Sequence, residues 1–194
     1  MEVNHPQRVA ANITKRADQW VEVELEVKPA ESNSELAVKK ALTAKAVHQH
    51  TEILIDPLHK VAVVLGPLME VNSTTRYELQ AFFGPDNLCT FRLHIWHSRL
   101  WKTAQFHEAY DFDGQPLELL TNCSSIPSYP TTLEFAKVVV SHQMLKESQA
   151  TGFPLKLYGR REDLMIIVAP HYLIGFLGKV HESGLMTGGE ARES

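Results

Sequence analysis

The sequence has no long apolar run and no strong excess of either charge. No apolar stretch in its 194 residues approaches the roughly 20 residues that a membrane-spanning helix needs. The first residues, Met1 to Pro6, lack the basic and then apolar pattern of a signal peptide. Nineteen basic and twenty-three acidic residues give a net charge of -4, which does not attract nucleic acid or an anionic membrane. These absences predict a cytoplasmic protein without a membrane or nucleic-acid partner.

Signatures of catalysis are also missing. The two cysteines, Cys89 and Cys123, are too far apart in sequence for a CxxC motif, so we expect two ordinary reduced thiols. No glycine-rich phosphate loop is present, and neither cysteine lies in a nucleophile elbow. The sequence therefore does not identify a reaction, and the fold alone does not identify one either.

Alternation of apolar and polar residues from Arg76 to Leu120 is the strongest structural signal. Period-two alternation is typical of strands buried on one face. The stretch predicts four consecutive antiparallel strands, with the loop Asp113 to Pro116 closing the last hairpin. In that hairpin we expect Phe112 opposite Leu117. The predicted buried face comprises Tyr77, Leu79, Ala81, Phe83, Phe91, Leu93, Ile95, Phe106, Tyr110, Phe112, Leu117 and Leu119.

The remaining elements complete an α+β pattern. Strands are predicted at 20–28, 51–56, 61–65, 155–158 and 164–168, and helices at 32–50, 131–152 and 170–183. The runs 61–65 and 165–168 lack alternation, which predicts burial on both faces. We therefore predict a large, mainly antiparallel sheet, with the meander 76–120 at its centre and about three helices packed on one face. The sheet is either strongly bent around a helix or divided into two stacked subsheets. The predicted organisation is a polar N-terminal arm (1–18), a single domain (19–184) and a disordered tail (185–194).

Register within the meander suggests a candidate site on its polar face. A five-residue loop after Phe83 places Leu79 opposite Leu93 and Glu78 beside His94. If residues 99–102 close the next hairpin, His94 faces His107. Glu78, His94 and His107 then form one row across three strands, spaced by about 5 Å per strand. Two imidazoles and a carboxylate in such a row are a ligand set for zinc or a similar divalent transition metal.

The same polar face supports a second interpretation that needs no cofactor. Arg76, Arg92, His94 and Trp96 offer bidentate and cation–π contacts to an anionic or aromatic ligand. An exposed tryptophan on a polar face indicates a partner or a cover, and a helix of the same chain is one possible cover. The candidate ligand-binding residues are Arg76, Glu78, Arg92, His94, Trp96, His107 and Asp111.

These observations favour a non-enzymatic binding or interaction module that uses a polar sheet face, with an unknown protein or small molecule as partner. The alternative is a small metal-dependent or histidine-based enzyme with a pocket at Glu78, His94 and His107. A third hypothesis is nucleic-acid binding through scattered arginines and lysines, which predicts steep salt dependence. A homodimer formed through an exposed strand edge is also compatible with the pattern.

Overall fold

Strands dominate the part of the chain that the structure describes. A computed structural model describes residues 43–86, 88–100, 102–125 and 131–186, which all belong to one unit spanning residues 41–194. The predicted arm 1–18, the predicted strand 20–28 and residues 187–194 lie outside them. The elements are α1 (Ala44–His50), β1 (Glu52–Asp56), β2 (Val61–Leu65), β3 (Met69–Asn72), β4 (Thr75–Phe83), β5 (Cys89–Leu100), β6 (Phe106–Asp111), β7 (Pro116–Leu117), β8 (Leu119–Ser125), β9 (Thr131–Val140), α2 (His142–Glu147), β10 (Phe153–Gly159), β11 (Leu164–Val168) and α3 (Pro170–Glu182).

The strands form two antiparallel sheets, so the α+β prediction is confirmed. The seven-stranded sheet has the order β1-β2-β4-β5-β9-β8, with β3 paired to β4. The four-stranded sheet has the order β11-β10-β6-β7. Alternation sorts the two faces of β4 and β5 as predicted, since Tyr77, Leu79, Leu93 and Ile95 are all buried.

The predicted four-strand meander is wrong beyond β5. After β5 the chain leaves the seven-stranded sheet, and β6 pairs with β10 in the smaller sheet. The loop at Gly114 does close a hairpin, and Gly114 has the positive φ of 75° that favours glycine in tight turns. Its register differs from the prediction, because Leu117 faces Ala109 rather than Phe112. From Leu119 onward the chain returns to the large sheet as β8.

The predicted helix over 131–152 is also wrong. Residues Thr131–Val140 form β9, which pairs with β5 along its whole length, and only His142–Glu147 are helical. The buried face of β9 alternates through Glu134, Ala136, Val138 and Val140. A glutamate at an inward position hides this alternation in the sequence, although three consecutive valines favour a strand. β9 therefore occupies the place beside β5 that the prediction gave to β6.

The three helices among the described residues lie on the core side of the large sheet. Tyr172 of α3 donates its hydroxyl proton to Pro67 O (2.9 Å) and accepts a hydrogen bond from Leu79 N (3.1 Å). His142 of α2 stacks on Phe91, with ring centroids 5.3 Å apart. α1 packs against α3, where a side-chain atom added at Gly175 would meet the backbone of α1. The prediction of three helices packed on one face is confirmed.

The N-terminal boundary of α1 differs from the predicted helix 32–50. Thr43 has an extended backbone and caps α1, since its side chain accepts a hydrogen bond from Ala46 N (3.2 Å). The helix therefore starts at Ala44, and the earlier part of the predicted helix lies outside the described residues.

The small sheet shares its inner face with the core of the large sheet and leaves its outer face exposed. Leu155, Leu157 and Ile166 belong to the same apolar cluster as the buried residues of β4 and β5. In β11 the exposure alternates, and Met165 and Ile167 are each 59% exposed. The predicted burial of 165–168 on both faces is therefore wrong, because only alternate residues of β11 point toward the core.

Candidate functional site

The predicted register between β4 and β5 is confirmed. Glu78 lies opposite His94, and Leu79 lies opposite Leu93. Phe83 pairs with Cys89, so the connecting loop has the predicted length and keeps the apolar positions of both strands on the core face. Arg76, opposite Trp96, follows the same outward face.

The third member of the predicted row is not His107. On its other side β5 pairs with β9, and His94 faces Lys137. His107 belongs to β6 in the small sheet, and so does Asp111. The row across the large sheet is therefore Glu78, His94 and Lys137, and the predicted pocket at Glu78, His94 and His107 is wrong.

The physical reason is that the chain turns away from the large sheet after β5. Gln105 adopts a positive φ of 57°, which redirects the backbone. The buried carboxylate of Glu134 then accepts hydrogen bonds from Gln105 N (3.0 Å) and Phe106 N (2.7 Å). These two bonds satisfy the first donors of β6 and hold the strand in the second sheet. The alternation of residues in β5 alone does not predict these two hydrogen bonds.

An aromatic cluster surrounds His94 on the outward face of the large sheet. The ring centroid of His94 lies 6.1 Å from that of Trp96 and 5.3 Å from that of Phe135. Trp96 and Phe135 are themselves 5.3 Å apart and tilted by 52°. Offset and edge-on ring pairs at these distances are favourable. Phe135 was not predicted as a site residue, because its segment was assigned to a helix.

Two positive side chains accompany the aromatic rings. The Arg92 guanidinium lies 5.4 Å from the centroid of the Phe82 ring, and Lys137 Nζ lies 5.4 Å from that of Phe135. Both distances are within the range of cation–π attraction. We refer to this surface as the aromatic–cationic face. Its members are Phe82, Arg92, His94, Trp96, Phe135 and Lys137.

His94 is a neutral, buried imidazole within this face. It is 7% exposed, and its Nε2 atom is buried without a hydrogen-bond partner. Burial, and then the positive charges of Lys137 and Arg92, lower the pKa of His94 to about 3. A buried polar atom without a partner is uncommon in a folded protein and costs stability.

The other predicted residues lie at different places. Arg76 is on the same face as His94 but forms an exposed ion pair with Glu70, with Nη2 and Oε1 2.9 Å apart. Asp111 borders a groove on the small sheet, and His107 is exposed. Five of the predicted residues thus share a face of the large sheet, namely Arg76, Glu78, Arg92, His94 and Trp96.

The structure does not assemble the predicted metal ligands. Within the described ranges, no group of three His, Cys, Asp or Glu side chains is arranged to hold a metal ion. The Glu78–His94 pair lacks the third ligand, because Lys137 stands where His107 was expected. A lysine ammonium donates hydrogen bonds and repels a cation.

A second polar cluster, which the sequence analysis missed, lies at one end of the core face. His97 Nδ1 is 2.9 Å from Thr75 Oγ1, and His97 Nε2 is 3.6 Å from Glu162 Oε2. Arg99 Nη2 approaches the same Glu162 oxygen at 2.5 Å. Burial lowers the pKa of His97, against the opposing effect of Glu162. Since Glu162 lies in the loop between β10 and β11, these contacts tie the small sheet to β5.

Neither cysteine has the surroundings of a nucleophile. Burial raises the pKa of Cys89 to about 12. The pKa of Cys123 is also raised, by partial burial and then by the nearby Glu134 carboxylate. Because the thiolate is the reactive form, both environments favour unreactive thiols.

The comparisons with known proteins give no relative. No family model matches the chain, no curated protein matches its sequence, and no solved structure matches it. None of the helices in the described part of the chain is long and apolar enough to cross a membrane. The site geometry therefore carries the functional argument.

Proposed function

We propose that this chain is a non-enzymatic binding module whose ligand site is the aromatic–cationic face. The ligand class that this face fits is a small molecule with a negative charge and an aromatic ring. The observation that carries the proposal is the grouping of the Trp96 and Phe135 rings with two cations, Arg92 and Lys137, around His94 on one outward face of the sheet. Ring surface beside positive charge is the combination that an anionic aromatic ligand requires.

Charge supports an anionic ligand. Arg92 and Lys137 are both close enough to His94 for their positive charges to lower its pKa, after the larger effect of burial. An anion placed there gains from both charges, and a guanidinium can hold a carboxylate or phosphate through two parallel hydrogen bonds. Trp96 and Phe135 supply ring surface for the aromatic part of the ligand.

The titration of His94 favours binding over acid–base catalysis. A general base works best when its pKa is near the working pH. With a pKa of about 3, His94 accepts a proton too weakly to serve this role at neutral pH. Its part in the proposed site is to support the rings of Trp96 and Phe135, which it contacts.

The test uses Trp96 as the reporter in a background that carries Trp20→Phe and Trp101→Phe. Three probes are titrated separately. Phenyl phosphate carries both the charge and the ring, inorganic phosphate carries the charge alone, and phenol carries the ring alone. We expect saturable quenching by phenyl phosphate, at lower concentration than by either of the other two probes. Arg92→Met and Lys137→Met should each raise its dissociation constant at least tenfold, which corresponds to about 1.4 kcal/mol.

Arg160→Met is the matched control, because Arg160 is an exposed cation on the small-sheet side of the fold. It should leave the titration unchanged. The proposal fails if phenyl phosphate gives no saturable signal, or if the Arg92 and Lys137 variants bind it as tightly as the parent does.

A further inference from the structure

The outer edge of β11 is the second candidate interaction surface. β11 is the last strand of the small sheet and pairs with β10 along one edge, and no strand in the described part of the chain pairs with its other edge. Its outward side chains, Met165 and Ile167, are each 59% exposed. An exposed apolar edge strand readily pairs with a strand of another chain.

Hydrogen bonds at the end of β6 fix the direction of the backbone groups in the small sheet. Asp111 donates its N–H to Gln115 O (3.1 Å), and its C=O accepts a hydrogen bond from Gly114 N (3.3 Å). Both backbone groups of Asp111 therefore point toward the hairpin loop and away from β10. Leu155 lies opposite Asp111 in β10, and facing residues that do not exchange hydrogen bonds both point away from each other. Leu155 therefore directs its backbone groups toward β11.

That direction determines which backbone groups of β11 face its outer edge. Leu155 lies opposite Ile166, so these two residues exchange the hydrogen bonds between β10 and β11 at this position. The direction of the N–H and C=O groups alternates along a strand, so the residues on either side of Ile166 point the other way. Met165 and Ile167 therefore present their backbone groups to the outer edge and their side chains to the exposed face.

β11 lacks the features that keep other strand edges from pairing. Residues Leu164–Val168 include no charged residue and no proline, and their pairing with β10 has no bulge. The other outermost strands among the described residues are different. β1 begins and ends with an acidic residue, β3 has a register shift, β7 is two residues long and starts with a proline, and β8 is mostly polar. β11 is therefore the described edge that is best suited to pair with another chain.

A second copy of the chain complements this edge. Antiparallel pairing centred on Ile166 places Met165 of each copy opposite Ile167 of the other, and each of these facing pairs exchanges two backbone hydrogen bonds. The same pairing sets apolar side chains against apolar side chains on the outer face, and its two-fold symmetry closes after two copies. The four-stranded sheets of the two copies then join into one continuous sheet.

Charge at the ends of β11 also fits a second copy. In this register Asp163, which precedes β11, lies opposite Ala169 of the second copy. Ala169 is the N-cap of α3, and this helix has no acidic residue in its first turn and no side-chain cap. A carboxylate near the N-terminus of a helix is stabilised by the helix dipole. Each copy therefore supplies a negative charge that α3 of the other copy lacks.

Polarity favours a second copy over the predicted strand 20–28 of the same chain. Glu22, Glu24 and Glu26 alternate along that strand. If it paired with β11, its glutamates on the outer face would leave Met165 and Ile167 without apolar cover, and on the inner face they would be buried. The edge of a second copy brings no carboxylate to either face of β11.

We propose that β11 is the interface of a homodimer, in which the edges of two copies pair antiparallel around Ile166. This interface is separate from the aromatic–cationic face and does not depend on the function proposed for that face.

Sedimentation equilibrium of the full chain over a range of protein concentrations tests the proposal. We expect the mass to shift with concentration from that of the monomer to twice that value. Ile167→Lys should raise the dissociation constant by about tenfold or more, because it places a charge between the apolar side chains of the two copies. Because Ile167 is 59% exposed, this variant keeps the fold. Ile55→Lys is the matched control, since Ile55 is 66% exposed on an outermost strand of the large sheet, and it should dimerise as the parent does.

Disulfide crosslinking tests the register. The background is Cys123→Ser, because Cys123 is exposed. Facing residues in the proposed register have Cα atoms about 5.5 Å apart, which a disulfide can bridge, whereas identical residues of the two copies are diagonal neighbours and too distant. Oxidation of a mixture of Met165→Cys and Ile167→Cys chains should give a crosslinked dimer with one chain of each kind. Either variant oxidised alone should give much less crosslinked dimer.

The proposal is overturned if the parent stays monomeric at every concentration, if Ile167→Lys dimerises as tightly as the parent does, or if Ile55→Lys weakens the dimer equally. It is also overturned if each cysteine variant alone crosslinks as well as the mixture does, since a different register or a different surface would then join the two copies.

Discussion

Replacing Glu134 by alanine is expected to destabilise the fold more than any replacement of an exposed glutamate. Glu134 is 1% exposed in β9, and its two carboxylate oxygens accept hydrogen bonds from the backbone N–H groups of Gln105 and Phe106. These bonds join β9 of the large sheet to the first residue of β6 in the small sheet. Glu134→Ala removes both acceptors and leaves two donors without partners.

The magnitude follows from these two bonds. A hydrogen bond to a charged group contributes about 1.5–3 kcal/mol, and a buried donor that loses its partner keeps its full desolvation cost. We therefore expect Glu134→Ala to lower the free energy of unfolding by about 3–5 kcal/mol. At about 2–4 °C per kcal/mol for a chain of this size, the melting temperature falls by roughly 10 °C. Glu134→Gln keeps one oxygen but turns an NH₂ group toward the other donor, so its cost is about 1.5–3 kcal/mol.

Urea unfolding followed by circular dichroism measures both changes, and amide exchange at Gln105 and Phe106 reports the bonds directly. The control is Glu118→Gln, since Glu118 is exposed and its replacement should stay within about 0.5 kcal/mol. The role assigned to this carboxylate is refuted if Glu134→Ala and the parent have the same free energy of unfolding within error, and if the two amides exchange at unchanged rates.

Three further predictions concern the helices and His94. Gly175→Ala should destabilise by about 1–3 kcal/mol, because the new Cβ would lie 2.7 Å from Val47 Cβ. Gly178→Ala, whose Cβ would be 3.6 Å from His48, should instead stabilise by about 0.5–1 kcal/mol through helix propensity. Thermal melts measure both variants, and the packing argument is disproved if both change the melting temperature in the same direction. Tyr172→Phe leaves the buried Leu79 N–H unpaired and should lower the free energy of unfolding by about 1–3 kcal/mol. An unchanged midpoint of urea unfolding would contradict this prediction. His94 has a folded pKa of about 3 and an unfolded pKa near 6.5, so its contribution to stability is full above pH 6.5 and falls by about 1.4 kcal/mol per pH unit below it. Between pH 6.5 and pH 5 the expected loss of stability is about 2 kcal/mol. His94→Gln should remove this loss when the free energy of urea unfolding is measured at both pH values. If that free energy falls equally with pH in the parent and in the variant, the pKa of His94 is not depressed.

Local patterns in the sequence were sufficient for three hairpins, β1–β2, β4–β5 and β10–β11, and for the face of each strand near His94. The residues around Pro57 predicted β1 and β2 within a residue of their observed bounds, because a turn signal between two apolar runs is a local feature. The pairing of Glu78 with His94 was also predicted correctly, since a slip of one residue would have turned the apolar side chains outward. Pro170 correctly marked the start of α3.

The pairing of strands that are distant in the sequence could not be predicted from local patterns. The neighbour of β5 was decided by contacts over about 40 residues of sequence, in which β9 replaced β6. Glu134 obscured β9, because a carboxylate at an inward position breaks the apolar alternation, and only the fold shows the two backbone donors that make its burial favourable. The same exchange removed His107 from the predicted site and introduced Phe135 and Lys137.

By itself, the sequence determined the α+β class, the hairpins β1–β2, β4–β5 and β10–β11, and the apolar face of β4 and β5, since these depend on residues close together in the chain. Tertiary structure alone decided in favour of two separate sheets over one bent sheet, placed Lys137 rather than His107 beside His94, and left the outer face of β11 exposed. Each of these depends on which distant strand becomes a neighbour. That choice is a balance of burial and hydrogen bonding over the whole chain, which no local pattern contains.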